Sequence, residues 1–436
     1  MRCPTNPVVW RIWRRYVKPS GKHVSAILVA LVLLVGCAGD PSASGEARDR
    51  FTELPPIQER VETQPSPTPT EDPALAIPEF VVGLLDPGPT LDLAGRVFFR
   101  NGRDLWQITG DEANPALPQG TRFGPYDTAP QGQRVTVVIL TEIDSQPAEA
   151  VHILESGAAP GEPILPPRVT AGPNAEPAIA ALAWSWDATR LGIVYDDPSV
   201  AIVNLSPEDG GSAAIMTEIT LPDNIRSIES IDWSATGQGL AIVGRADTGQ
   251  ASLWVSSLEG ELYEVNAASL DGSRSVSEAA WLPGRGRIAF IEERAVASRS
   301  LGGSMFSIAP DGSGRELLVS SGSFAPAAEI AELAASPDGR FIAFTVNVPG
   351  RGGEATFHSL SLVNIDSGEL IRVPVTPEFR VTDLWWTVEG LLWRAVHRDA
   401  ETVDTISDYV GFEPFLIGRF NPDTNELRLL FQSTAN

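Results

Sequence analysis

Ala334-Ala335-Ser336-Pro337-Asp338-Gly339-Arg340-Phe341-Ile342-Ala343-Phe344 sets a tight turn between two apolar runs. The phrase returns with variations as Leu182-Ala183-Trp184-Ser185-Trp186-Asp187, Ile231-Asp232-Trp233-Ser234, Ala279-Ala280-Trp281-Leu282-Pro283 and Leu384-Trp385-Trp386-Thr387. A short apolar run follows each copy, such as Leu191–Val194, Leu240–Val243 or Arg287–Phe290. At the serine position, with Ala129 as a degenerate first copy, the steps from 129 to 185, 234, 282, 336 and 387 are 56, 49, 48, 54 and 51 residues. Repeats of roughly 40–50 residues built from short strands are the mark of propeller blades.

Apolar hairpins give the blade number by a second route. Arg96–Phe99 pairs with Asp104–Ile108, Val135–Ile139 with Ala150–Ile153, and five more follow, one per phrase. That makes seven. A ring of six remains open if the 96–108 hairpin belongs to an appendage or to a closing blade. Turns of the required chemistry end the second strand of each hairpin: Pro310-Asp311-Gly312, Asp366-Ser367-Gly368, Ser257–Gly260 and Pro422–Asn425. Gly and Asn tolerate positive φ there, and Asp bonds its own backbone. The expected fold is all-β, with one helical turn at 327–333 as the exception.

The phrase resembles the TolB-like, or WD40-like (PD40), propeller repeat, with Ser336–Phe344 nearly a full match and Gly303–Leu317 similar to its downstream half. The resemblance covers about residues 90–436. It implies the fold and leaves the activity open, since such blades occur in periplasmic scaffolds, envelope lipoproteins and the caps of some peptidases. Trp184, Trp233, Trp281 and Trp386 are read as packing between sheets, where an aromatic side chain buries a large area. Asp187 and Asp338 are read as turn formers.

The N-terminus carries an address. Arg2, Arg11, Arg14, Arg15, Lys18 and Lys22 precede the apolar stretch Val24–Val35, which closes on Leu34-Val35-Gly36-Cys37. This is the order of parts in a signal peptide. A helix over that stretch is about 18 Å long at 1.5 Å per residue, against ~30 Å for a hydrocarbon core. Leu34, Val35 and Gly36 are similar to a bacterial lipobox, which implies cleavage before Cys37 and lipidation of its thiol. Two or three acyl chains on one residue hold a protein at a membrane, where one chain does not. The expected segments are a lipoprotein signal peptide at 1–36, a lipidated Cys37 with a Pro/Ser/Thr-rich stalk to 76, and a propeller from 77 to 436.

Composition excludes several chemistries. The net charge is −24, and both lysines lie in the signal segment, so the remainder is more acidic still. Such a surface lacks the basic footprint of a nucleic-acid binder. Of two cysteines, Cys3 would leave with the signal and Cys37 would carry the lipid, leaving no thiol for a disulfide, a zinc site or nucleophilic attack. There is no Gly-x-Ser-x-Gly, Ser-x-x-Lys or His-Glu-x-x-His motif, and Gly284-Arg285-Gly286 reads as a turn. No catalytic, cofactor-binding or metal-ligating residue is assigned.

Two functions are carried forward. The first is a membrane-tethered extracytoplasmic lipoprotein, on the outer face of the cell membrane or the periplasmic side in a double-membrane host, whose ring binds an envelope protein or peptide. The second is a glycan- or peptide-processing hydrolase or lyase with a His/carboxylate site at the ring mouth, drawn from His152, His358 and His397. Convergence of histidines and carboxylates at one end favours the enzyme, and scattered histidines favour the binder. Segments 156–180 and 399–413 are longer than turns require, and the acidic 399–413 is the candidate partner contact.

Overall fold

The computed structural model describes residues 97–101, 104–109, 112–130, 134–155, 160–172, 175–205, 213–266, 273–296, 299–325, 328–348, 357–376, 378–387, 390–397 and 415–432. They form seven antiparallel sheets in chain order, the blades of a propeller. Blade I holds β1 (Val97–Asn101), β2 (Asp104–Thr109) and β3 (Glu112–Pro115). Blade II holds β4 (Phe123–Thr128), β5 (Arg134–Ile143), β6 (Gln146–Glu155) and β7 (Arg168–Val169). Blade III holds β8 (Ile179–Trp184), β9 (Arg190–Tyr195), β10 (Ser199–Asn204) and β11 (Ala214–Thr220). Blade IV holds β12 (Ile225–Trp233), β13 (Gly239–Ala246), β14 (Ala251–Ser257) and β15 (Leu262–Asn266). Blade V holds β16 (Arg274–Leu282), β17 (Arg287–Val296), β18 (Arg299–Ile308) and β19 (Glu316–Val319). Blade VI holds β20 (Glu329–Ala335), β21 (Phe341–Val348), β22 (Phe357–Asn364) and β23 (Leu370–Val373), and blade VII holds β24 (Phe379–Thr387), β25 (Gly390–His397), β26 (Phe415–Asn421) and β27 (Glu426–Gln432).

The first strands β4, β8, β12, β16, β20 and β24 touch their counterparts in the neighbouring blades, so they are the inner strands around the axis. Seven hydrophobic clusters fill seven blade-to-blade joints. Trp184 and Leu191 pack with Val138 and Val151 at the joint of II and III, and Trp233 and Leu240 pack with Val194 and Ile202 at the next. The last two clusters close the ring: Val97 and Phe99 pack on Leu392 and Phe415 of blade VII, while Phe98 and Leu105 pack on Val135 and Leu154 of blade II. These contacts put β1 and β2 level with the second and third strands of their neighbours. Among the described residues, blade I therefore starts at the second-strand position. The second strands read as continuous apolar runs because both of their faces are covered.

The turn between first and second strands explains the phrase. Ser336 Oγ donates to Asp338 Oδ1 at 2.6 Å and accepts the Phe341 N–H, while Asp338 Oδ1 also accepts the Arg340 N–H. Ser185, Asp187 and Thr189 repeat the arrangement. Both aspartates form turns, as expected. Gly339 has φ +65°, and an added Cβ would run into the carbonyl of Pro283 in blade V. Arg285 spans the same joint, donating to the Gly339 carbonyl at 2.6 Å and to Asp366 at 2.8 Å. Arg340 spans the next one through two 2.9 Å bonds to Asp423.

Two expectations are corrected. The helical turn at 327–333 is strand from Glu329 onward, because this segment is the inner strand of blade VI and pairs with β21. The one 3-10 turn of that region lies at Ser321–Ser323. Segment 156–180 is not only loop: Arg168 and Val169 pair with Glu149 and Ala148 as the outer strand of blade II, and Ile179 opens blade III.

Candidate functional site

Inner strands face the axis with an unpaired edge, and their outward N–H groups need acceptors. Carboxylates of the preceding blade supply them. Asp127 Oδ2 accepts the Trp184 N–H at 2.8 Å, and Asp232 Oδ2 accepts the Trp281 N–H at 2.6 Å. Glu278 accepts two, from Glu332 at 2.8 Å and Leu333 at 3.1 Å. There β20 bulges and Glu332 adopts φ +57°, which turns successive N–H groups toward one anion. Glu149 reaches the Ile179 N–H at 2.7 Å.

Burial pushes the Asp232 carboxyl up to about 7; the N–H bonds from Trp281 and Trp233 oppose the rise, and the charge of Asp127 adds to it. Burial likewise raises Glu149, against the Ile179 N–H bond. At Asp187 and Asp338 partial burial works the same way, but hydrogen bonds from serine and backbone outweigh it, and both lie below the ordinary carboxylate range. At the closing joint, Arg394 is 5% exposed, bonds Asp383 at 3.0 Å and lies against the Phe99–Phe415 pair, 5.0 and 5.4 Å from their centroids.

The two ends of the ring differ. One carries the turns between first and second strands and between third and fourth. The other carries the ends of the second strands and the starts of the third. Near that end Glu329, Asn347 and His358 stand in register across β20, β21 and β22. Asn347 is buried, and its Oδ1 lies 2.5 Å from His358 Nδ1, which places the proton on that nitrogen. His397 ends β25 and packs edge-on against Phe379, 5.2 Å away. His152 stands apart in blade II, with Nδ1 2.9 Å from the Gly161 carbonyl.

Two of the three histidines therefore share one end of neighbouring blades, and the third does not. No group of three or more His, Cys, Asp or Glu able to hold a metal ion occurs among the described residues. Trp184, Trp233 and Trp281 are buried at the joints, and Trp386 is partly buried. Leu34, Val35, Gly36, Cys37 and segment 399–413 lie outside the described residues. Sequence reading overlooked the clasping carboxylates, although an acidic residue just before the phrase position, as at Asp127 and Asp232, was their visible trace.

No family model matches the chain, and no curated protein matches it. Solved structures do. TolB from Acinetobacter baumannii is 14% identical over 64% of this chain and 63% of its own, with a TM-score of 0.38. Hydrazine synthase from Kuenenia stuttgartiensis is 12% identical over 71% and 95%, with a TM-score of 0.42. A puromycin-hydrolyzing peptidase from Mycobacterium tuberculosis is 15% identical over 79% of this chain and 54% of its own, with a TM-score of 0.51. At these identities the likeness concerns the fold alone.

Proposed function

We propose that this chain is an extracytoplasmic lipoprotein, tethered through Cys37, whose propeller binds a protein or peptide partner of the cell envelope and performs no catalysis. The supporting observation is the use of the axial carboxylates: Asp127, Asp232 and Glu278 are committed to backbone N–H groups of the next blade. Groups so engaged hold the ring rigid, and a rigid scaffold suits recognition by the loops it carries. The tether rests on the basic, apolar and Leu34-Val35-Gly36-Cys37 order of the leader.

The test is crosslinking in intact cells followed by mass spectrometry, with Cys37→Ser as the released control. Reproducible capture of one envelope protein that depends on Cys37 supports the reading. Capture of none overturns it.

A second reading, a hydrolase or lyase working on glycans or peptides, is favoured by one feature, the Glu329–Asn347–His358 row across β20, β21 and β22. Turnover of a peptide or glycan library that is lost in His358→Ala would establish it.

A further inference from the structure

Among the described residues, four joints carry a phrase tryptophan on the following blade, and three of them are sealed in two ways. The indole N–H groups of Trp184, Trp233 and Trp386 donate to the carbonyls of Asp127, Ala183 and Ala334, each in the preceding blade, at 3.2, 3.0 and 2.9 Å. The second seal is the residue whose carbonyl accepts the N–H at the serine position of the phrase: Arg134, Arg190 and Phe341 in blades II, III and VI. Arg134 lies 5.1 Å over the Trp184 ring, Arg190 donates to the Gly237 carbonyl at 3.2 Å, and Phe341 stacks on Trp386 with 6.4 Å between centroids.

At the joint of blades IV and V both seals are missing. Trp281 is 7% exposed, and its indole N–H has no acceptor. Gly239 holds the covering position, and an added Cβ there would lie 2.8 Å from the Ser256 carbonyl, so a side chain would displace backbone. A buried donor left unpaired costs free energy. This joint lacks what its counterparts receive from the chain itself.

In place of the seals lies a cavity of ≈ 670 Å³, with Gly239 and Trp281 in its wall. Val255 and Tyr263 stand opposite each other on β14 and β15, so they share the face of blade IV that packs on blade V. Trp281 and Pro310 line the cavity from blade V, and Tyr263 is 56% exposed. The wall holds no lysine or arginine, and Asp311 at its border accepts the Ser313 N–H at 2.9 Å. These walls suit an uncharged aromatic group, and the indole N–H calls for an acceptor beside it.

We propose that this cavity receives an uncharged aromatic side chain, such as phenylalanine, from an extended segment of a partner protein, and that a main-chain carbonyl of that segment accepts the Trp281 indole N–H. The partner thereby supplies here what Phe341 and the Ala334 carbonyl supply between blades VI and VII. A terminal carboxylate would meet the like charge of Asp311, so the aromatic residue is internal to its segment. This rests on the partner-binding reading and names the chemistry of the partner.

The test is fluorescence anisotropy of the full chain with a fluorescein-labelled, C-terminally amidated pentapeptide carrying one central phenylalanine, and with the same peptide carrying alanine. The phenylalanine peptide is expected to bind and the alanine peptide to bind at least fivefold more weakly. Tyr263→Ala should weaken binding about two- to tenfold, the range of an aromatic pair. Trp281→Phe should weaken it by a similar factor through the lost hydrogen bond. Met216→Ala, which removes an exposed apolar side chain from blade III, should leave it unchanged. In nuclear magnetic resonance spectra, the indole N–H signal that is absent from Trp281→Phe should move downfield when the phenylalanine peptide is added to the natural chain. No binding, equal binding of both peptides, equal loss in Met216→Ala and Tyr263→Ala, or an unmoved indole signal overturns the proposal. If crosslinking captures a partner that Tyr263→Ala still captures, the cavity fails and the binding reading stands. If the peptide binds as expected but no partner is captured, the binding reading fails and the cavity chemistry stands.

Discussion

Asp232, an axial carboxylate, and Asp338, a turn carboxylate, have opposite pH behaviour, and the difference follows from their surroundings. In the fold Asp232 keeps its proton to about pH 7, whereas its ordinary value is 3.8. Between those values the folded state binds more protons than the unfolded chain, so stability falls as pH rises through the window and levels off above it. The shift corresponds to roughly 4 kcal/mol at most, and the partial solvent contact of Asp232 keeps the effect below that. Urea unfolding at pH 5 and pH 8 should show a smaller pH difference for Asp232→Asn than for the natural chain; equal differences would contradict the assignment. Asp187 and Asp338 have lowered values, so their contribution is present above the ordinary carboxylate range and is lost as pH falls through it. Glycines divide in the same local way. Gly339→Ala meets both a positive φ and the Pro283 carbonyl and should cost more than ~2 kcal/mol, whereas Gly368→Ala, at φ +71° in open space, should cost only about 1 kcal/mol. Denaturant midpoints of the two variants check this.

Among elements, the joints decide what a substitution costs. Trp233 is fully buried and its indole N–H is bonded to the Ala183 carbonyl, so Trp233→Phe loses both volume and a hydrogen bond. Trp281→Phe removes a donor that has no acceptor and should cost about 1 kcal/mol less. Glu278→Gln keeps the shape of the side chain but offers one carbonyl oxygen where two N–H groups converge, and it should destabilise by ~1–3 kcal/mol. Thermal and chemical unfolding of these variants would rank the joints. The first-to-second-strand turns were legible in the sequence because Ser336, Asp338 and Gly339 act within five residues. The clasp of Asp232 on Trp281 was not, because its acceptor and donor are 49 residues apart and an acid before a tryptophan looks the same whether solvated or clasped.

For the whole molecule, closure of the ring through blade I ties every joint to two others. Phe99 is fully buried against Phe415, 4.8 Å between centroids, with Arg394 alongside. Phe99→Ala should destabilise by about 3–5 kcal/mol. Because blade I is clasped from both sides, intrinsic fluorescence and far-ultraviolet circular dichroism should still report one coincident transition. Separate transitions would mean that the blades unfold as independent units.

The sequence by itself determined the blade architecture and the turn chemistry, since each is written in contiguous residues: a period and a turn phrase. It also supported seven blades over six by counting hairpins. Only the tertiary structure decided that the 97–115 hairpins close the ring, that inner carboxylates hold neighbouring blades, and that the IV–V joint opens a cavity beside Tyr263. Those features depend on which residues meet across about fifty positions of chain, and packing geometry, rather than local propensity, selects the pairs.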